Sequence, residues 1–251
     1  MTTAQQIYEY IDSVAPFETA MSFDNAGLLV GNPRQKITKA IVTLDVTSKV
    51  IDEAVEKRAE LIVSHHPVIF NPIKSVLSDS VPFLAAKNNL TIISAHTNLD
   101  VARGGVNDSL AEKIGVKIDE FFDEDCAALG HLEVELKSVE FAQNIKTQLE
   151  CNGLRFTNRD GKIKTVVVSC GAGGGNIFLA KKLNADAFVT GEIKHHEIVF
   201  ANENNIAVFD LGHFQSENHI TEKLTKKLSE SFPDIHFEKS EVFTDGMEYL
   251  I

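Results

Sequence analysis

No tryptophan occurs in the 251 residues, and cysteine occurs only three times, at Cys126, Cys151 and Cys170. The 16 phenylalanines must therefore supply most of the aromatic core volume. An odd cysteine count without finger-type spacing argues against a disulfide framework and against a thiolate zinc site. It fits a reduced, cytoplasmic setting. No apolar run approaches the ~20 residues needed to span a bilayer, so no membrane association is expected. The N-terminal stretch MTTAQQIYEYIDSV carries acids but no Lys or Arg, unlike a secretory signal or a transit peptide. Positive charge is also scarce: Lys plus Arg is 24, Asp plus Glu is 36, and the net charge is −12. Nucleic-acid backbones are bound by Lys and Arg displacing counterions, so a general nucleic-acid coat is disfavoured, and only a local basic groove would serve. What is present is an ordinary globular composition, 43% apolar and 24% charged, long enough for one large domain or two small ones.

Short β-branched runs alternate with helical spacing. Residues 40–44 (AIVTL), 61–64 (LIVS) and 91–95 (TIISA) read as buried strands. Residues 47–58, 81–89 and 107–114 read as helices, the last ending at Gly115 as a C-terminal cap. The pattern then restarts. Strands are predicted at 165–169, 187–190 and 206–210, with a Gly-rich turn and a helix over 176–183, and a last helix over 217–230. Between the halves, 131–136 (HLEVEL) predicts a strand and 141–150 a helix, while 17–25 and 119–125 look loop-like. Strand–helix–strand alternation implies βαβ units and mixed or largely parallel sheets flanked by helices. The expected organisation is a first α/β domain over 1–125, with 235–251 packing back on it, and a second over 126–234.

The restart reads as an internal duplication. LIVS at 61–64 matches AFVT at 187–190. His96-x-x-x-Asp100 matches His213-x-x-x-Glu217, and LAEKI at 110–114 matches ITEKL at 220–224. Any two βαβ units share such a rhythm, but rhythm alone does not give a repeated His-x-x-x-acid after an apolar strand.

Ser64-His65-His66-Pro67 is the sharpest chemical feature. Two histidines at a strand end can both reach the crevice beyond the carboxyl edge of an α/β sheet, where such folds bind ligands. Neutral imidazole keeps a lone pair and is the commonest metal ligand. An isolated His-His pair is more often a polar loop, but this one is not isolated. His96 with Asp100, and His213 with Glu217, also follow strands. Five side chains, His65, His66, Asp100, His213 and Glu217, with His96 near, exceed the three protein ligands usual for one catalytic zinc. They suit two divalent ions, and the mixed N/O set fits Zn, Fe, Mn, Co or Ni without choosing among them. Such a pair lowers the pKa of a shared water and stabilises an oxyanion on a substrate.

The segments FDNAGLLVG at 23–31, VSHHPVIF at 63–70, SAHTNLD at 94–100, SCGAGGG at 169–175, TGEIKHHE at 190–197 and GHFQSE at 212–217 carry a resemblance over nearly the whole chain. They resemble the dinuclear-metal YbgI-like family, whose members are labelled GTP cyclohydrolase I type 2 homologues or NIF-three-like proteins. The resemblance implies two similar α/β domains, a two-metal site in the cleft between them and a homohexamer. It puts the metal ligands on the same five residues, with Glu217 as the bridge. Phe23 stands where many relatives have Trp, and the extra domain of longer relatives is missing. Neither departure touches a ligand.

Other features are weaker. Gly171–Gly175 either cradles phosphate through backbone N–H groups or is a tight turn. Glu192, His195 and His196 fall where the repeat puts the counterpart of the His65 loop, as cleft lining or as partners of ligands. Asp45 is a candidate acceptor for a ligand, and Asp24-Asn25 a turn. His131, His219 and His236 read as surface residues.

The expected function is a dinuclear-metal hydrolase of a small polar, nucleotide-like substrate, with His96 or His195 moving protons. GTP enters through the family label alone. The alternative is a non-enzymatic, ring-shaped metal-binding assembly with a protein or nucleic-acid partner, or one whose metals are purely structural.

Overall fold

Runs of β-branched residues set two separate sheets in this computed structural model, which describes residues 1–248 and 250. Elements are numbered along the chain. The chain divides into two compact units, Met1–Ala102 with Ile220–Thr244, and Arg103–His219 with the described residues from Asp245 onward.

The first unit contains Ala4–Val14 (α1), Gly27–Val30 (β1), Lys39–Thr43 (β2), Ser48–Glu56 (α2), Leu61–Ser64 (β3), Val81–Lys87 (α3), Thr91–Ser94 (β4) and Thr97–Val101 (α4). Its C-terminal part supplies His219–Ser231 (α10) and His236–Lys239 (β11). In α1, Ala4, Ile7 and Ile11 fall on one face and are buried, and Thr3 and Gln6 form a capping box that satisfies the first-turn N–H groups. Five strands lie in the order β1-β4-β3-β2-β11; β4, β3, β2 and β11 run parallel and β1 pairs antiparallel with β4. Ile41, Ile62 and Ile92 from neighbouring strands pack on Val50, Ile51 and Ala54 of α2. Sequestering such side chains from water, at ~25 cal/mol per Å², is what holds helix to sheet.

The second unit contains Val106–Ile114 (α5), Val116–Phe122 (β5), Ala127–Leu136 (β6), Ser138–Gln148 (α6), Arg155–Phe156 (β7), Ile163–Ser169 (β8), Ile177–Lys182 (α7), Ala187–Thr190 (β9), His195–Glu203 (α8), Ala207–Asp210 (β10) and His213–Glu217 (α9). Its sheet order is β5-β6-β8-β9-β10-β7, parallel from β8 to β10 and antiparallel elsewhere. Val167, Phe188 and Val208 pack on Ile177, Ala180 and Ala201, and Phe141 meets Phe209 edge-on at 4.9 Å. Gly115 closes α5 with φ +79°, a left-handed cap that costs glycine little.

Both sheets are mixed, and each holds three consecutive parallel strands, β2-β3-β4 and β8-β9-β10, in the same order. A five-residue helix carrying His-x-x-x-acid follows the third strand each time, with His96 capping α4 and His213 opening α9. The duplicated motif thus corresponds to a duplicated architecture.

Two sequence expectations are corrected. Residues 119–125 are not a loop: β5 runs through Phe122 as the edge strand of its sheet, and a single 3-10 turn follows. An edge strand wetted by solvent need not carry a continuous apolar run, so VKIDEFF hides its strand character. The single last helix over 217–230 is two helices, α9 and α10, broken at Asn218. No helix among the described residues is long and apolar enough to cross a membrane.

Candidate metal centre

Strand β3 ends at Ser64, but its backbone ladder does not. The amides of His65 and His66 donate to the carbonyls of Thr43 (3.2 Å) and Leu44 (2.9 Å), so the pair is held at the sheet's carboxyl edge. The Ser64 hydroxyl donates to the His66 carbonyl at 2.8 Å and fixes the turn. His65 is 1% exposed, and its Nδ1 lies 2.8 Å from the Ala95 carbonyl. A carbonyl only accepts, so Nδ1 carries the proton and the lone pair is on Nε2. That Nε2 faces Asp100 Oδ1 at 3.4 Å.

His66 follows the same rule through a carboxylate: its Nδ1 is 2.9 Å from Asp45 Oδ1. His96 follows it through Asp24, at 2.8 Å. Burial pushes the Asp24 carboxyl up, but the bond and charge of His96 and the hydroxyl and amide of Thr97 more than offset this and bring it down to about 2. Asp24 is therefore an anion that accepts from His96 Nδ1, from Thr97 N (3.0 Å) and from Thr97 Oγ1 (2.5 Å), capping α4 and orienting His96 together. The rings of His65, His66 and His96 lie 4.9–5.5 Å apart, and one ligand nitrogen from each falls within 4.8 Å of the others.

In the second unit, four-residue spacing on α9 brings His213 Nε2 to 3.1 Å from Glu217 Oε2. His213 Nδ1 meets Glu192 Oε1 at 2.6 Å. Glu217 is 3% exposed. Gly171, at φ +55°, passes so close that a Cβ there would collide with Glu217 Oε1. Ser216 Oγ accepts from the Gly171 amide at 3.0 Å and donates to the His213 carbonyl at 2.8 Å, locking that approach. Gly174 has the same character, since a Cβ there would sit 2.5 Å from the Glu192 carbonyl oxygen. The Gly-rich segment is thus a tight turn, in which Gly171 lies against the acid of α9 and Gly174 against the backbone of Glu192.

His65, His66, His96 and Asp100 thus share one unit's sheet edge, and His213, Glu217 and Glu192 the other's. His195 opens α8, is exposed, and has His196 beside it. Asp45 and Glu192 are the acids that meet His66 and His213. The sequence did not disclose the reach of Asp24 to His96, because 72 residues separate the two. His131 pairs with Asp119 at 2.8 Å, and His236 with Glu238 at 3.1 Å, both on the surface. His219 is half-buried. Cys126, Cys151 and Cys170 are thiols, and burial pushes Cys151 up to about 11, which makes it inert.

A family model described as Duf34/NIF3 (NGG1p interacting factor 3) matches residues 2–246. A Clostridium perfringens protein named GTP cyclohydrolase 1 type 2 homolog is 33% identical over 257 residues, covering 97% of this chain and 98% of that one. Among solved structures, Staphylococcus aureus hypothetical protein SA1388 matches with a TM-score of 0.89 at 27% identity, over 99% of both chains. The structure of protein ybgI matches with a TM-score of 0.87 at 20% identity, over 97% of this chain and 99% of that one, a likeness of fold.

Proposed function

The chain belongs to the Duf34/NIF3 family, and on that premise we propose that it is a metal-dependent hydrolase of a small polar, nucleotide-like substrate. His65, His66, Asp100, His213 and Glu217 would hold its two divalent ions. One observation carries the reading. All four of His65, His66, His96 and His213 have Nδ1 engaged with a carbonyl or carboxylate acceptor. That pattern puts the lone pair on Nε2 and is how metal-ligating histidines are held. The donor set of imidazoles and carboxylates, without thiolates, suits Zn, Fe, Mn, Co or Ni. Gly171 adds to the fit, because only a residue without Cβ lets the backbone lie against Glu217.

Two such ions supply Lewis acidity, acidifying water and stabilising an oxyanion. The chain's own residues do the rest. Asp45, Glu192 and the Ala95 carbonyl hold the ligand imidazoles in one tautomer. His96, braced by Asp24, exchanges a proton through Nε2 with the substrate, and His195 is the second candidate for that step. The name of the Clostridium perfringens relative makes GTP the first substrate to try. We extend the reading to a cytoplasmic homo-oligomer, a hexamer by family likeness; light scattering that gave a monomer mass would remove that extension.

The test is elemental analysis of protein purified without added metal, followed by assays of GTP loss and formate release beside a screen of phosphoesters and cyclic amides. Near two ions per chain, and turnover lost in His65→Ala/His66→Ala, are expected. Equal turnover in both proteins removes the catalytic role.

A further inference from the structure

Phe23, Phe70, Phe156 and Phe178 stay out of the core, and of these Phe23 and Phe70 pair with each other beside His96. Phe23 is 66% exposed and Phe70 44%. Full burial of such rings would stabilise the fold, and here much of that gain is left unrealised. Nor are these rings on slack chain. Phe23 precedes Asp24, which is bonded to His96 and Thr97, and Asn25 Nδ2 donates to the Ile69 carbonyl at 2.6 Å, next to Phe70. The Asp24 amide donates to the Met21 carbonyl at 2.8 Å and closes the turn on the other side of Phe23. Polar bonds therefore fix two loops at their aromatic residues while leaving the rings to solvent.

The two ring centroids are 6.4 Å apart, tilted by 48°. Phe70 stands edge-on to His96, 6.1 Å away at 78°, and His96 in turn lies 5.2 and 5.5 Å from His65 and His66. The rings form an aromatic floor at the border of the histidine cluster, within one first-unit sheet edge. A third planar ring can stack on such a floor at the ~4.5–7 Å centroid spacing of aromatic pairs. Its polar edge would then face imidazole nitrogens. A sugar or aliphatic phosphoester has no such face to offer.

We propose that Phe23 and Phe70 are specificity-determining residues that bind the planar heteroaromatic ring of the substrate, a purine-like base, beside His96. The proposal rests on the hydrolase reading above and deepens it by assigning the two residues that would hold the flat heterocycle of its nucleotide-like substrate. The base is recognised by its face rather than by a hydrogen-bonding code, so purine identity is only weakly discriminated.

Calorimetric and NMR titrations of the zinc-loaded full chain test it, with GMP as the ring-bearing probe and ribose 5-phosphate as the ring-less one. GMP is expected to bind at least 10-fold more tightly than ribose 5-phosphate, with upfield shifts of its H8 proton from the phenylalanine ring currents. Phe23→Leu and Phe70→Leu should each weaken GMP roughly 10-fold, as loss of a base-stacking partner does, and leave ribose 5-phosphate unchanged. Phe23→Trp should bind GMP at least as well as wild type. Melting temperatures and zinc stoichiometry should stay at wild-type values, because both rings are exposed and neither is a ligand. Equal affinity for the two probes, no binding of GMP, or unchanged GMP affinity in both leucine variants overturns the proposal. So do variants that alter only the mass in light scattering, which would make the floor a contact between copies. Zinc stoichiometry is read separately: a chain that binds no zinc fails as a metal hydrolase, whereas one that binds zinc and ignores the base fails only here.

Discussion

Which nitrogen of an imidazole can grip a cation is decided by what the other nitrogen does. In this chain Asp45 and Glu192 decide it for His66 and His213, and both acids are themselves open to solvent, at 40% and 58%. Asp45→Ala or Glu192→Ala should therefore keep the fold while lowering zinc affinity about 10–100-fold; competition against a chromogenic chelator reads this, and unchanged affinity would count against the ligand assignment. Gly171 sits at the opposite extreme, where the backbone itself is the constraint. Gly171→Ala meets both a left-handed φ, at a cost of roughly 1–2 kcal/mol, and the Glu217 carboxylate. Lower stability in urea together with weaker zinc binding is expected. The candidate ligand types and their His-x-x-x-acid spacing were legible at this scale in the sequence. The Asp24–His96 bond was not, because a turn-making Asp and a reaching Asp are the same letter.

At the scale of elements, Asp186 shows how a single carboxylate ties strands together. It accepts from the amides of Lys164 and Thr165 (both 2.9 Å), from Thr165 Oγ1 (3.0 Å) and from Arg159 Nη1 (2.6 Å), joining the start of β8 to the turn before β9. Burial pushes its carboxyl up, but the two amides, Arg159 and the Thr165 hydroxyl outweigh that and leave it below its ordinary value. The depressed native pKa means that its stabilisation is present above the unfolded value near 4 and is lost as pH falls through the native one. Asp186→Ala should cost about 1–3 kcal/mol at pH 7, and the gap to wild type should narrow towards pH 3 in urea titrations. A gap that stays constant with pH would mean that the charge contributes nothing. The buried strands 61–64 and 187–190 were read correctly because residues sealed on both faces are mostly apolar, and here only the final Ser64 and Thr190 are polar. The edge strand β5 and the break between α9 and α10 were not. Solvent removes the apolar signature of the first, and residue periodicity does not register the one-residue interruption at Asn218 in the second.

For the whole molecule, cations bound only by the native state add stability in proportion to the logarithm of their concentration. Zinc at about 100 times its Kd should raise unfolding free energy by ~2.7 kcal/mol, visible as a higher melting temperature that a strong chelator reverses. The His65→Ala/His66→Ala variant should lose most of that rise. A melting temperature indifferent to both zinc and chelator would leave the histidines without a metal to hold.

The amino-acid order alone determined the fold class, the duplicated strand–helix rhythm and the side chains able to ligate a metal, because burial and ligand chemistry are written in residue type and local spacing. Only the tertiary structure decided which acceptor orients each imidazole, why Gly171 must be glycine, and that two phenylalanines stand in solvent beside His96. Those outcomes depend on atoms brought together from distant parts of the chain, and residue order carries no distance between them.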